Sequence, residues 1–125
     1  MINKIKTDKA PAAIGPYSQA ILANGILYTS GQIAIDPKTG NIEEKDIEGQ
    51  TEQVMRNLAA VLDAAGTSFD KVIKTTCFLS DIKDFAAFNA IYGKYFSSNP
   101  ARSCVAVKDL PKGALVEIEV IALAN

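Results

Sequence analysis

Arg102 stands in the stretch PARSCVAV (residues 100–107), and Glu117 and Glu119 stand two places apart in VEIEV (116–120). A guanidinium keeps its charge at any accessible pH, so beside a core it must face an anion or stay solvated. Its planar fork can hold a carboxylate through two parallel hydrogen bonds, which fixes both the position and the rotation of the guest. A protein carboxylate near such a guest could take a proton from water. These residue types therefore allow a site that binds a small carboxylic acid and brings water to it. They equally allow a structural ion pair between Arg102 and either glutamate, and the strand pattern alone leaves the two readings level.

The chain contains no histidine. Ser-His and Cys-His nucleophilic pairs, imidazole acid–base catalysis and the commonest transition-metal ligand are all missing as a result. Cys77 and Cys104 are isolated thiols whose spacing fits neither a disulfide framework nor a zinc knuckle, and they point to a reducing compartment. Cys104, near a cation, is a candidate thiolate, although lone strand cysteines are more often small packing residues. Chemistry must come from carboxylates, Arg, Lys, Tyr, hydroxyls, thiols or the backbone, and neither a metal nor an organic cofactor is expected.

The elements carrying these residues read as strands. ARSCVAV and ALVEIEVIALA are β-prone runs joined by KDLPKG, and Val116, Ile118, Val120 and Ala122 alternate with Glu117 and Glu119. Both carboxylates thus share one sheet face, and the period does not choose between them. Arg102 and the glutamates are expected on neighbouring strands. Upstream, Asn24-Gly25 between two β-prone runs predicts a type I′ hairpin turn. Pro11, Gly15 and Pro16 predict an ordered loop that delivers Tyr17 to the hairpin, and DPKTG (36–40) predicts another turn.

From Asp46, the residues Val54, Met55, Leu58, Val61, Leu62 and Ala65 recur at helical spacing, and Gly66 suits a left-handed cap. KVIKTTCFLS (71–80) reads as a buried strand. DFAAFNAIYGKYF (84–96) reads as a second helix that Asp84 could cap. Its Phe85, Phe88, Tyr92, Tyr95 and Phe96 share a face that is expected to pack in the core rather than hold a cofactor. Two helices among about six strands give an α+β pattern with the helices on one face. The opposite face then needs a cover, and self-association with closed symmetry supplies one economically.

The 125 residues are 48% hydrophobic, which fits one compact domain spanning residues 1–125. A domain of that size buries about two thirds of its unfolded surface. Thirteen basic and 14 acidic residues leave a formal net charge of −1, which gives no electrostatic footprint for nucleic acid or an anionic membrane. The opening MINKIKTDKA lacks the apolar centre of a signal peptide and no segment approaches a membrane span, so a cytoplasmic protein is expected.

The segments APAAIGPYSQA, YTSGQIAIDPKTG, NLAAVLDAAG, KTTCFLSDIKDFAAFNAIY, PARSCVAV and VEIEVIAL follow one another in this order. Together they closely resemble the reactive-intermediate deaminases, the Rid or YjgF-like family, over nearly the whole chain. The resemblance implies a chorismate-mutase-like α+β fold and a homotrimer whose sheets enclose a central β-barrel, with helices outside and active sites between subunits. It also implies hydrolysis of 2-imino acids, including 2-iminopropanoate and 2-iminobutanoate, to 2-oxo acids and ammonia.

Carried over by motif, Arg102 resembles the arginine that grips the substrate carboxylate. Glu117, the first acid of VEIEV, resembles the carboxylate that helps place the attacking water. Gly31 of SGQ and Cys104 would contribute backbone contacts, while Tyr17, Ser30 and Asn89 would line or support the pocket. An imine beside a carboxylate suits such a site, because protonating its nitrogen makes the adjacent carbon easy for water to attack and the remaining task is orientation. A non-catalytic trimer that binds 2-oxo acids or regulates through the same clefts is the alternative, since holding a carboxylate does not require turning it over. RNA cleavage, also associated with parts of this family, is disfavoured by the missing histidine and the missing basic stripe.

Overall fold

Asn24 and Gly25 adopt φ angles of 54° and 75°, the pair of positive values that a type I′ turn demands. The turn sets Ala23 opposite Ile26 and so fixes the register of β2 (Ala20–Ala23) against β3 (Ile26–Thr29). In the computed structural model, which describes residues 1–125, four further strands extend this hairpin: β1 (Ile2–Ile5), β4 (Val72–Leu79), β5 (Ala101–Ala106) and β6 (Val116–Leu123). They form one mixed sheet in the order β1-β2-β3-β6-β4-β5. Every pairing is antiparallel except β4 with β5.

That parallel pair is explained by its connection. The helix α2 (Phe85–Tyr95) carries the chain back over the sheet between β4 and β5, as parallel strands require. The longer helix α1 (Ile47–Ala64) connects the hairpin region to β4. Asp46 caps α1 by accepting a hydrogen bond from the Gly49 amide at 2.7 Å. Gly66, with φ at 77°, turns the chain out of it, while Thr67 N–H returns to the Leu62 carbonyl at 2.9 Å, a Schellman-type ending.

Alternation in the strands and helical spacing in α1 meet in one core. Val116, Ile118, Val120 and Ala122 of β6 and Thr75, Cys77 and Leu79 of β4 turn inward. They pack with Val54, Met55, Leu58, Val61 and Leu62 of α1 and Phe88 and Tyr92 of α2. The opposite sheet face carries Glu117 and Glu119 with the exposed apolar side chains of Tyr28, Val105 and Leu123. The mixed six-strand sheet with two helices on one face agrees with the sequence reading. No helix is long and apolar enough to cross a membrane.

One local expectation needs correction, and one strand was not foreseen. Asp84 makes no side-chain cap to α2, because a short 3₁₀ turn over Ile82–Asp84 runs straight into the helix and leaves Asp84 already helical, with φ −81° and ψ −2°. Asp81 caps that turn instead, accepting from Lys83 N–H at 2.9 Å. The strand β1 was not signalled, since its Asn3 and Lys4 interrupt the apolar pattern; as an edge strand paired only with β2, it needs no buried face.

Candidate active site

Parallel register places Arg102 opposite Thr75, so both belong to the helix-covered face. Thr75 is central and buried, whereas Arg102 lies on the edge strand and emerges over α2. There Arg102 Nη1 donates to Asn89 Oδ1 at 2.6 Å. The guanidinium carbon stands 4.7 Å from the Tyr92 ring centroid and 5.4 Å from that of Phe85, within range of cation–π attraction. No acid pairs with it; the chain's one ion pair joins Lys94 and Glu52 at 3.5 Å. The structural pairing of Arg102 with Glu117 or Glu119 is therefore not made. Arg102 instead borders an open hollow of about 450 Å³ that it shares with Asn89, Tyr92, Asn99 and Pro100.

A second, larger cleft of about 680 Å³ lies on the other side of the sheet, lined in part by Tyr17, Ser30, Gly31, Lys112, Glu117 and Glu119. Its walls are tied down by backbone and amide contacts. Gln19 accepts from Thr7 N–H at 2.7 Å and donates to the Pro11 carbonyl at 2.7 Å, which pins the loop that carries Tyr17. Ser30 donates its hydroxyl to the Ser18 carbonyl at 2.6 Å and so secures the other end of that loop. Gln32 and Ile118 exchange both backbone hydrogen bonds, at 2.8 and 3.1 Å, and this bridge presses Gly31 against Glu117.

The fit at Gly31 is close enough that a Cβ built there would overlap the Glu117 carboxylate. Glu117 is half-buried while Glu119 is exposed, a distinction the strand period could not draw. Burial pushes the Glu117 carboxyl above the usual carboxylate range, and the neighbouring charge of Glu119 adds to the rise. A carboxylate so placed binds a proton more readily than a solvated one, which suits a group that accepts one from water and passes it on.

The structure thus sorts the sequence-predicted residues into two groups. Tyr17, Ser30, Gly31 and Glu117 gather at the large cleft, and Asn89 and Arg102 meet over α2, with Cys104 two places along β5 opposite Cys77. Arg102 and Glu117 are not on neighbouring strands as expected: β4 lies between β5 and β6, and the two side chains leave opposite faces of the sheet. The cause is topological, because β6 inserts between β3 and β4 while the α2 crossover sets β5 at the outer edge.

Nor are the cysteines isolated, for Cys77 and Cys104 stand opposite each other in register, both as free thiols. Burial pushes the Cys104 thiol up despite Arg102, and pushes Cys77 up to about 12, so packing rather than a thiolate describes both. Phe88, Tyr92 and Phe96 pack in the core as expected, with Phe85 and Tyr95 against it, but the stripe alone did not signal the contact of Phe85 and Tyr92 with Arg102. Their spacing with Asn89, at i, i+4 and i+7, is the signal that could have found it.

The model of the family described as Endoribonuclease L-PSP matches residues 7–124. A human 2-iminobutanoate/2-iminopropanoate deaminase is 48% identical over 120 residues, covering 95% of this chain and 88% of its own. A proposed regulator from Lactococcus lactis, AldR, is 59% identical over 119 residues, 94% of each chain. The crystal structure of YyfA from Yersinia pestis, of the conserved Rid protein family, superposes with a TM-score of 0.96 at 58% identity and covers 98% of this chain and 99% of its own. Sequence match and shared fold agree from β2 to β6, and the chain belongs to the Endoribonuclease L-PSP family of Rid, or YjgF-like, proteins.

Proposed function

We propose that this protein hydrolyses 2-imino acids such as 2-iminopropanoate and 2-iminobutanoate to 2-oxo acids and ammonia. The observation that carries the reading is a guanidinium fixed by an amide and two rings but joined to no acid of its own chain. Because Arg102 and Glu117 leave opposite faces of the sheet, one copy does not assemble the site. A homotrimer whose open sheet faces enclose a barrel brings Arg102 of one subunit to the Glu117 cleft of the next, and it also covers Tyr28, Val105 and Leu123.

In that site Arg102 holds the substrate carboxylate by charge-assisted hydrogen bonds. The backbone near Gly31 and Cys104 orients the protonated imine, and Tyr17 shapes the wall. Ionised Glu117 accepts a proton as the water oxygen bonds to the imine carbon, and the C=N π pair moves to nitrogen. Glu117 then returns the proton to the amine of the carbinolamine. Ionised again, Glu117 takes the hydroxyl proton as the C–N bond breaks and its pair leaves with ammonia, and the proton passes on to give ammonium, so atoms and charge balance as the 2-oxo acid forms. The likeness in sequence to the human deaminase supports this chemistry, whereas the name of AldR favours the second reading, a regulator that binds a small carboxylate without turning it over.

A dehydratase acting on serine or threonine supplies the imine, and its decay is followed directly. The deaminase reading expects faster decay with the wild type, and a loss of about 10- to 150-fold in kcat/KM for Arg102→Ala, from the about 1.5–3 kcal/mol of a hydrogen bond to a charged group. A wild-type rate in trimeric Arg102→Ala or Glu117→Ala would overturn it, and a protein that binds pyruvate but leaves imine decay unchanged would be the regulator.

A further inference from the structure

Nothing in the proposed reaction requires a tyrosine under Arg102, yet Tyr92 is held there from three sides. Its ring lies 4.5 Å from Phe96 and 5.6 Å from Phe88, centroid to centroid. Its hydroxyl meets Thr75 Oγ1 at 2.8 Å in the buried interior, and Cys77 Sγ donates to the same oxygen at 3.8 Å. Arg102 is the strand neighbour of Thr75 in the parallel register. One residue of β4 therefore anchors the platform on which the next strand's guanidinium rests.

A guanidinium needs two constraints before its fork can present a defined edge. Stacking on a ring fixes the plane, and a hydrogen bond at one nitrogen fixes rotation within that plane. Tyr92 supplies the first and Asn89 the second. Nη2 and Nε are left without a protein acceptor, and those are the donors a carboxylate would take.

We infer that Tyr92, tethered by Thr75, is a positioning residue that sets the plane of Arg102 for carboxylate binding. This rests on the functional reading above and deepens it. The Tyr92 hydroxyl is committed to Thr75 on the inner side of the platform, so what Tyr92 offers Arg102 is the face of its ring. Burial also pushes the Tyr92 phenol up, so the ring stays neutral and the tether stays intact across the working pH range.

The test compares pyruvate dissociation constants and steady-state constants for 2-iminopropanoate in the wild type, in the single variants Tyr92→Leu, Tyr92→Phe and Thr75→Val and in the combined Tyr92→Phe/Thr75→Val, each with Arg102 kept and with Arg102→Ala. Losing the ring is expected to weaken pyruvate binding and raise KM by about 2- to 10-fold, with kcat little changed. Tyr92→Phe and Thr75→Val keep the ring but cut its tether, and are expected to give matching, smaller losses that do not add when combined. Because Tyr92 is buried, these two near-isosteric variants keep the test valid if Tyr92→Leu folds poorly.

A positioning role acts only through the guanidinium, so each loss is expected to vanish in an Arg102→Ala background. Losses that persist undiminished there, or unchanged pyruvate affinity in all three variants beside a strong effect of Arg102→Ala, would overturn the positioning role alone. Unchanged pyruvate affinity in Arg102→Ala itself would overturn this inference together with the functional reading.

Discussion

Replacing Asn89 by Asp changes one atom at the end of a side chain and places a carboxylate where Arg102 now meets an amide oxygen at 2.6 Å. The substitution converts a guanidinium that joins no acid of its own chain into one paired internally. A guest carboxylate would then approach a neutral pair, with a new negative charge about 5 Å from its own. Coulomb's law gives that repulsion about 1 kcal/mol at the dielectric of water and about 3 kcal/mol at an effective dielectric near 20. Since 1.4 kcal/mol is tenfold, KM for 2-iminopropanoate and the pyruvate dissociation constant are expected to rise by about 5- to 150-fold. Asn89 is exposed, so the thermal midpoint is expected to stay nearly constant. Added salt should narrow the gap by screening. Titration of both proteins with pyruvate at low and high ionic strength measures all of this, and equal affinities for folded Asn89→Asp and wild type would refute the reasoning.

Gly31→Ala puts a methyl group into the Glu117 carboxylate, and the displaced base is expected to lower kcat by about 10- to 100-fold, the scale of an ångström's misplacement; full activity would deny Glu117 its role. In the proposed mechanism the working form of Glu117 is the ionised one, and its pKa is raised, so activity is expected to fall with decreasing pH through a limb above the ordinary carboxylate range. Glu119→Gln removes the second cause of the rise and is expected to move that limb to lower pH in a kcat/KM profile. The same raised pKa means that the folded state binds the Glu117 proton more tightly than the unfolded chain. Ionised Glu117 therefore costs stability near neutral pH, and the cost is relieved as pH falls through the folded pKa. Glu117→Gln is accordingly expected to melt higher than wild type near neutral pH at equal concentration while losing activity.

The elements were legible where local chemistry decides them. Asn24-Gly25 sets a turn through backbone φ alone, the stripe from Val54 to Leu62 fixes the buried side of α1, and the alternation around Glu117 fixes its face. Strand order was not legible, because β6 pairs with β3 and β4 across gaps of about 90 and 40 residues that no local pattern records. That gap produced the mistaken placement of Arg102 beside Glu117. The same non-local pairing brought Cys104 against Cys77 and Thr75 against Arg102. The choice between the two glutamates was also tertiary, since only the Gln32–Ile118 bridge presses Gly31 on Glu117 and leaves Glu119 in solvent.

A crystal structure of the protein with pyruvate bears most directly on the central claim, that Arg102 keeps its free donors for a small carboxylate. Pyruvate is expected with its carboxylate on Arg102 and its carbonyl carbon facing the Glu117 cleft of a neighbouring subunit. Pyruvate bound away from Arg102, or Arg102 closed onto a protein carboxylate in the assembled oligomer, would contradict the account.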